Sequence, residues 1–261
     1  MIKFASRRCS TGTRLRGSVS HVVLALSLSG TITLPALASP SGGTVVSGSA
    51  AIRSAGALTT IDQHDSRVVI DWESFDIDPT DVVRFRQPGT DSIALNRVLN
   101  GLPTHIRGAL LANGHVWIVN RAGIAFHGGS RVDVGGLLAT TVDIDNADFM
   151  AGRYRFDKPG NPGATVTNRG DITFGDAGLA GFVAPGAENH GTIAGKLGTA
   201  IVAGAETFTI DLAGDGLFSF ELPDQGDGRA VNAGSILNDG GYILITARQA
   251  SAVVDAAVSV T

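Results

Sequence analysis

Two acidic clusters share one spacing. Asp76, Asp78 and Asp81 read D-x-D-x-x-D, and so do Asp143, Asp145 and Asp148. Carboxylates grouped this way hold calcium in some loops, but an EF-hand also needs a central glycine and a late glutamate. Neither cluster has that set, so turn and strand-end aspartates are the leading reading, with a weak surface calcium site as the alternative. Asp224, Asp227 and Arg229 carry the charges of a polysaccharide-cleaving site, which needs carboxylates facing one groove. They stand in the turn-rich stretch "PDQGDG", which points away from catalysis. The six histidines form no H-x-x-x-H or H-x-H pair, so no zinc site is expected. There is no G-x-S-x-G, and the one cysteine is Cys9. The stretch "VWIVNRAGIAFHGGSRVDVGG", Val116 to Gly136, is glycine-rich in the manner of a phosphate cradle. Such a cradle needs a strand, a glycine loop and then a helix N-terminus. Here Val132, Val134, Leu137 and Leu138 continue in an extended pattern and no G-K-[ST] follows. The glycines read as turns between strands. No catalytic residue, metal or cofactor is expected.

The elements around these residues are strands. The chain has 35 Gly among 261 residues, 43% hydrophobic residues and only 6% aromatics, so small and β-branched side chains must supply the core. No clear helix is expected beyond the N-terminal segment, and the composition is that of an all-β chain with many tight turns. The first 38 residues stand apart. Lys3, Arg7, Arg8, Arg14 and Arg16 precede "HVVLALSLSGTITLPALA", and nothing there is acidic. Ala36-Leu37-Ala38 fits small-x-small cleavage before Ser39, so residues 1–38 read as a secretory signal peptide. Arg7-Arg8 lacks the apolar pair of a twin-arginine signal. Without that segment, fifteen basic residues face twenty-four acidic ones, a formal charge of −9. A nucleic-acid partner is therefore disfavoured. Cys9 leaves with the signal, so the mature chain has no disulfide in an oxidising compartment. Either a large β core needs no staple, or an uncrosslinked chain is suited to threading through a pore.

One pattern recurs in the second half. Asn168-Arg169-Gly170-Asp171-Ile172, Asn189-His190-Gly191-Thr192-Ile193 and Asn232-Ala233-Gly234-Ser235-Ile236 all read N-x-G-x-I. The steps are 21 and 43 residues. "GLAGFVA" at Gly178, "GTAIVAG" at Gly198 and "GYILITA" at Gly241 repeat with steps of 20 and 43. A skipped repeat is expected near "TIDLAGDGLFSF", Thr209 to Phe220, with turn residues Gly214 to Gly216. A period near 21 made of short strands and turns predicts a parallel β-helix with one coil per repeat. Ile172, Ile193 and Ile236 would stack inside it. Asn168, Asn189 and Asn232 would form an amide ladder at one corner, with Gly170, Gly191 and Gly234 turning the chain. A solenoid needs a cap over its first coil, expected from residues 39–110. Coils then fill 111–261, and 39–261 reads as one domain.

Several segments together resemble a known family. "TTIDQHDSRVVIDWESFDI", "VVRFRQP", "SIALNRVLNGLPTHIRGALLANGHVWIVNRAGIAFHGGSRVDVGGLLATTVDI", "GDGLFSF" and "VNAGSILNDGGYILITARQA" resemble the secretion (TPS) domain of filamentous haemagglutinin-type exoproteins of two-partner secretion. The resemblance implies a right-handed parallel β-helix with an N-terminal cap and short extra-helical strands. It also implies export by the Sec translocon, then recognition by POTRA modules of a partner outer-membrane β-barrel that delivers the exoprotein to the cell surface. The family's N-P-N-G-I secretion motif maps onto Asn120, Arg121, Ala122, Gly123 and Ile124. Asn120, Gly123 and Ile124 match, whereas Arg121 and Ala122 depart, and the absent proline leaves φ unfixed. The family's N-P-N-L motif has no counterpart, since the region before "LNRV" reads Gln87 to Ser92.

Two further functions stand beside secretion and targeting. The domain could itself be an adhesin for a glycan or host-cell surface, or, last, a polysaccharide-active β-helix enzyme. By the repeat count the chain stops in mid-coil at Val258-Ser259-Val260-Thr261, which reads as a fragment, a truncated reading frame or a protein with an unusual end.

Overall fold

The computed structural model describes residues 39–212, 218–221, 227–247 and 249–252. The expected signal peptide, with Ala36 and Ala38, lies outside these residues, as do Asp224 and the last nine residues. The chain winds through three parallel sheets in repeating order and forms a parallel β-helix. The first face carries eight strands, among them Arg67–Trp72, Ile93–Val98, His115–Val119, Gly136–Thr140, Leu179–Ala184, Thr199–Gly204 and Tyr242–Thr246. The second face also has eight, including Ala109–Ala112, Arg131–Val134, Asp171–Phe174, Thr192–Lys196 and Ser235–Asp239. The third has six: Thr104–Ile106, Ile124–Phe126, Thr165–Asn168, Gly186–Asn189, Arg229–Asn232 and Gln249–Ala252.

Period-2 side-chain alternation explains why the interior is continuous. On the second face Leu110, Val132, Ile172, Ile193 and Ile236 share one register column. Each fully buried Val, Leu or Ile of such a column contributes about 1.5–3 kcal/mol. The first face differs because both its sides are covered, so its strands read as unbroken apolar runs. Val116, Ile118, Leu137, Ala139 and Phe182 point into the coil interior. Trp117, Val119, Leu138, Leu179 and Val183 point outward into a second core.

That second core is closed by an antiparallel outer sheet of Asp143–Ile144, Tyr154–Lys158, Phe208–Leu212 and Phe218–Glu221. Two insertions build it. Both leave the coil after a first-face strand and rejoin it at a third-face strand, and Tyr154–Phe156 pairs with Phe208–Ile210 between them. Phe156 stacks on Phe208 with centroids 4.3 Å apart, and Trp117 meets Tyr154 edge-on at 4.8 Å. Arg97 clamps the first insertion to the stack. It donates to Asp143 (2.9 and 3.0 Å), Asp71 (3.0 Å), the Ile144 carbonyl (3.0 Å) and Asn146 Oδ1 (2.8 Å).

Three sequence expectations are corrected here. The segment near Thr209 to Phe220 is not a skipped coil. Its described strands are an antiparallel hairpin outside the helix, with Thr209 opposite Glu221. The 43-residue step is therefore one coil with an insertion, as direct pairing of Asn189 with Asn232 shows. The antiparallel cap is also shorter than 39–110. It comprises Thr44–Ser47 and Ala50–Ala55, paired antiparallel to Arg67–Trp72 and Leu58–Gln63. Parallel pairing starts at Leu58, opposite Val82, because two antiparallel strands already cover the first coil's edge. Finally, a one-turn helix occupies Asn146–Met150, with Asp145 accepting from the Ala147 N–H at its N-cap (2.9 Å). Only Phe149 of that turn is buried, too little for a periodic pattern to register in sequence.

Candidate functional site

The corner at Asn120 joins the first and third faces. Buried Val116–Val119 bring the chain in, and Ile124–Phe126 take it out between Thr104–Ile106 and Thr165–Asn168. The Gly123 N–H donates to the Asn120 carbonyl (3.0 Å), which makes residues 120–123 a β-turn with Arg121 at its second position. Gly123 has φ of 121°, and a Cβ there would stand 2.9 Å from the Thr165 carbonyl of the next coil. Only glycine fits that position. The Asn120 side chain is consumed by the fold. It is 1% exposed. Its Nδ2 donates to the Leu102 carbonyl and Thr104 Oγ1, both at 2.8 Å, and its Oδ1 accepts from the Ala122 N–H at 2.9 Å. Ile124 is buried in the coil interior.

The outer surface of the corner is made by other residues. Arg121 is exposed and donates to the Pro159 carbonyl (3.0 Å), while its own carbonyl accepts from the Asn161 N–H (2.8 Å). Beside it Leu99 and Leu102 are 61% and 65% exposed. Of the five motif residues, Arg121 alone presents a fully exposed side chain.

A second constellation lies on the third face. Asn168 Nδ2 donates to Asn189 Oδ1 (2.9 Å), and Asn189 Nδ2 donates to Asn232 Oδ1 (2.8 Å). Asn168 and Asn189 are fully buried, so each rung satisfies groups that would otherwise be orphaned. Gly170, Gly191 and Gly234 stack beneath, each next to the backbone or Ser130 Oγ of the coil before it. A Cβ on Gly191 would meet the Gly170 carbonyl at 2.2 Å.

The aspartates of both clusters serve the fold. Asp143 pairs with Arg97, Asp145 with Lys158 and Asp148 with Arg153. The Ala147 amide at the N-cap, and then Lys158, hold the Asp145 carboxyl below its ordinary pKa. Asp76 accepts from the His105 N–H (2.6 Å), and Asp81 accepts from Ser39. Burial, reinforced by the Asp81 charge, pushes the Asp78 carboxyl up. Among the described residues no three His, Cys, Asp or Glu side chains converge on one point. Arg229 pairs with Glu188 rather than with Asp227. His105 and His127, however, meet at 3.0 Å between Nδ1 and Nε2. They are 22 residues apart, about one coil, a separation that strand- or helix-based histidine patterns do not probe.

Residues 36–261 match the family model of the TPS secretion domain. The chain belongs to that family. The structure of a TPS domain, the HMW1 secretion domain from Haemophilus influenzae, superposes with a TM-score of 0.69 at 26% identity. The match covers 78% of this chain and 55% of that one. A protein of Haemophilus influenzae strain KW20 / Rd named heme/hemopexin-binding protein is 42% identical over 106 residues. A second Haemophilus influenzae protein of that name is 40% identical over 97 residues. The matched stretches are 41% and 37% of this chain but only 12% and 10% of those relatives' length. Within this TPS domain, the position where the family motif carries proline is the second of the β-turn, a place proline favours. Arg121 leaves φ at that position unlocked.

Proposed function

We propose that the chain is the non-enzymatic targeting domain of a surface or secreted exoprotein. Residues 1–38 direct Sec export, and the extended chain is then recognised in the periplasm by the POTRA modules of a partner outer-membrane β-barrel. Membership of the TPS family supports this reading. The geometry at Asn120 supports recognition of the chain before it folds. Folding buries Asn120, Gly123 and Ile124, and both edges of the strands on either side of the motif are paired within the stack. A partner that adds its sheet edge to this segment must meet it before the coils close. Closure outside the cell then opposes return, because each coil's free edge is taken by the next.

The test compares binding of urea-unfolded, freshly diluted chain and of folded chain to purified modules of the cognate barrel. Unfolded wild type binds, folded wild type does not, and unfolded Asn120→Ala binds more weakly than unfolded Thr104→Val. The Thr104 change breaks a bond to Asn120 yet leaves the motif intact. Equal binding by folded and unfolded chain would overturn the reading.

A further inference from the structure

The residue that follows each of the first four third-face strands points out of the stack, and these positions lie directly above one another. The N–H of His127 donates to the Ile106 carbonyl, that of Arg169 to Phe126, and that of His190 to Asn168, each at 2.8 Å. Arg107, His127, Arg169 and His190 therefore climb one corner at the strand spacing of about 4.8 Å. These four side chains are basic, and Ala233, whose N–H donates to the Asn189 carbonyl (2.8 Å), follows them in the column, in a domain whose formal charge without its first 38 residues is −9. Arg107 and Arg169, like Arg67, Arg84 and Arg121, form none of the ion pairs of the described residues, whereas Arg53, Arg86, Arg97, Arg131, Arg153 and Arg155 all do. Arg169 is exposed, and Arg107 and His127 are half-buried. His105 lies against the His127 ring. The column has an acidic stop at each end. Asp76 and Asp78 lie near Arg107 and His127. Glu188 takes up His190 and Arg229. Arg107, His127 and Arg169 thus make no ion pair among the described residues, and of the three Arg169 stands farthest from the flanking Asp76 and Asp78 in the column.

We infer that this column binds a linear acidic polysaccharide of the uronate type, laid along the helix axis with carboxylates of the chain on Arg107, His127 and Arg169. A uronate chain carries one carboxylate per sugar. An evenly spaced row of guanidinium and imidazole donors suits that polymer, since arginine binds carboxylate in a fork of parallel hydrogen bonds. The acidic stops limit the footprint to a few sugars. Burial, then the Arg107, His105 and Arg169 charges, hold the His127 imidazole below its ordinary pKa, with Asp76 alone opposing. A bound carboxylate favours the charged ring, so binding tightens as the pH falls toward 6. The inference does not depend on the secretion reading.

The test is titration of the purified protein with polygalacturonate at pH 7.5 and pH 6.0, with neutral dextran and single-stranded DNA as comparison polymers. Polygalacturonate binds more tightly at pH 6.0 and weakens with salt, and dextran does not bind. Arg107→Gln combined with Arg169→Gln weakens binding by roughly tenfold or more with an unchanged melting curve. His127→Gln binds but loses the pH dependence. Wild-type affinity in the double variant would overturn the inference, as would no binding at pH 6.0. Equal or tighter binding of DNA would assign the column to phosphate polymers instead and equally overturn it.

Discussion

Replacing Asn120 with alanine removes three hydrogen bonds at once: two donated by Nδ2, to Leu102 and Thr104, and one accepted by Oδ1 from Ala122. The Leu102 carbonyl sits in an exposed loop and regains water. Thr104 is 1% exposed, so its hydroxyl does not. At about 1 kcal/mol per bond, the loss is about 3 kcal/mol. A domain of ordinary stability, 5–15 kcal/mol, survives that. The variant therefore folds, but its urea midpoint drops by about 1 M at an m-value of about 3 kcal/mol/M, with the slope unchanged. Thr104→Val removes one of the three bonds and costs about 1 kcal/mol. A loss below 1 kcal/mol in Asn120→Ala would refute the claim that the fold consumes this side chain. The comparison matters for the proposed secretion role, because an export defect in Asn120→Ala would then combine lost stability with lost recognition. Thr104→Val carries only the first.

Arg121→Pro restores the family residue at a position that favours it, and among the described residues no hydrogen bond from the Arg121 N–H is lost. It stabilises by about 0.4–1 kcal/mol, read as a raised melting temperature. A drop would show that the turn cannot accept fixed φ. Asn189→Asp replaces the donor facing Asn232 with an oxygen. Burial raises the folded-state pKa of the new carboxyl above its unfolded value of about 3.9, so the variant is near wild type at low pH and loses stability as pH rises through the folded value. Urea midpoints at pH 4.5 and 7.5 check this, and a gap independent of pH refutes it. Burial likewise holds His115 below its ordinary pKa, opposed by Asp91, and His127 is depressed as well. Their neutral forms stabilise the domain above about pH 6.5, and that contribution is lost as pH falls through the depressed values. Asp78, raised by burial, acts with the opposite sign in the more acidic window above the ordinary carboxylate range. Unfolding free energy thus declines between pH 7 and pH 5.5, less steeply in His115→Asn.

The coil was legible in sequence because Asn168, Asn189 and Asn232 must each turn the chain at the same corner, and few residues do that without strain. The outer sheet was not. Its strands pair Tyr154 with Ile210, and no local period links them. The 43-residue step concealed it further by falling close to twice the coil length. The residue types around Asn120 were legible in sequence, but their burial was not, since burial there depends on Thr104 one coil before and Thr165 one coil after. The basic corner was hidden for the same reason: the insertion separates His127 from Arg169 by 42 residues although they are neighbours in space.

The two insertions do more than roof the first face. They leave the stack at Gly136–Thr140 and at Thr199–Gly204, and the strand Leu179–Ala184 lies between those two in the sheet. Their pairing therefore bridges two coils that do not touch. A plain solenoid comes apart like a zip, one layer after another, because each layer holds only its neighbours. Here a strap crosses over the middle layer, so the three must open together. Loss from the C-terminal end stalls when it reaches them. The strap itself needs Phe208–Leu212, so it locks only once both insertions are in place.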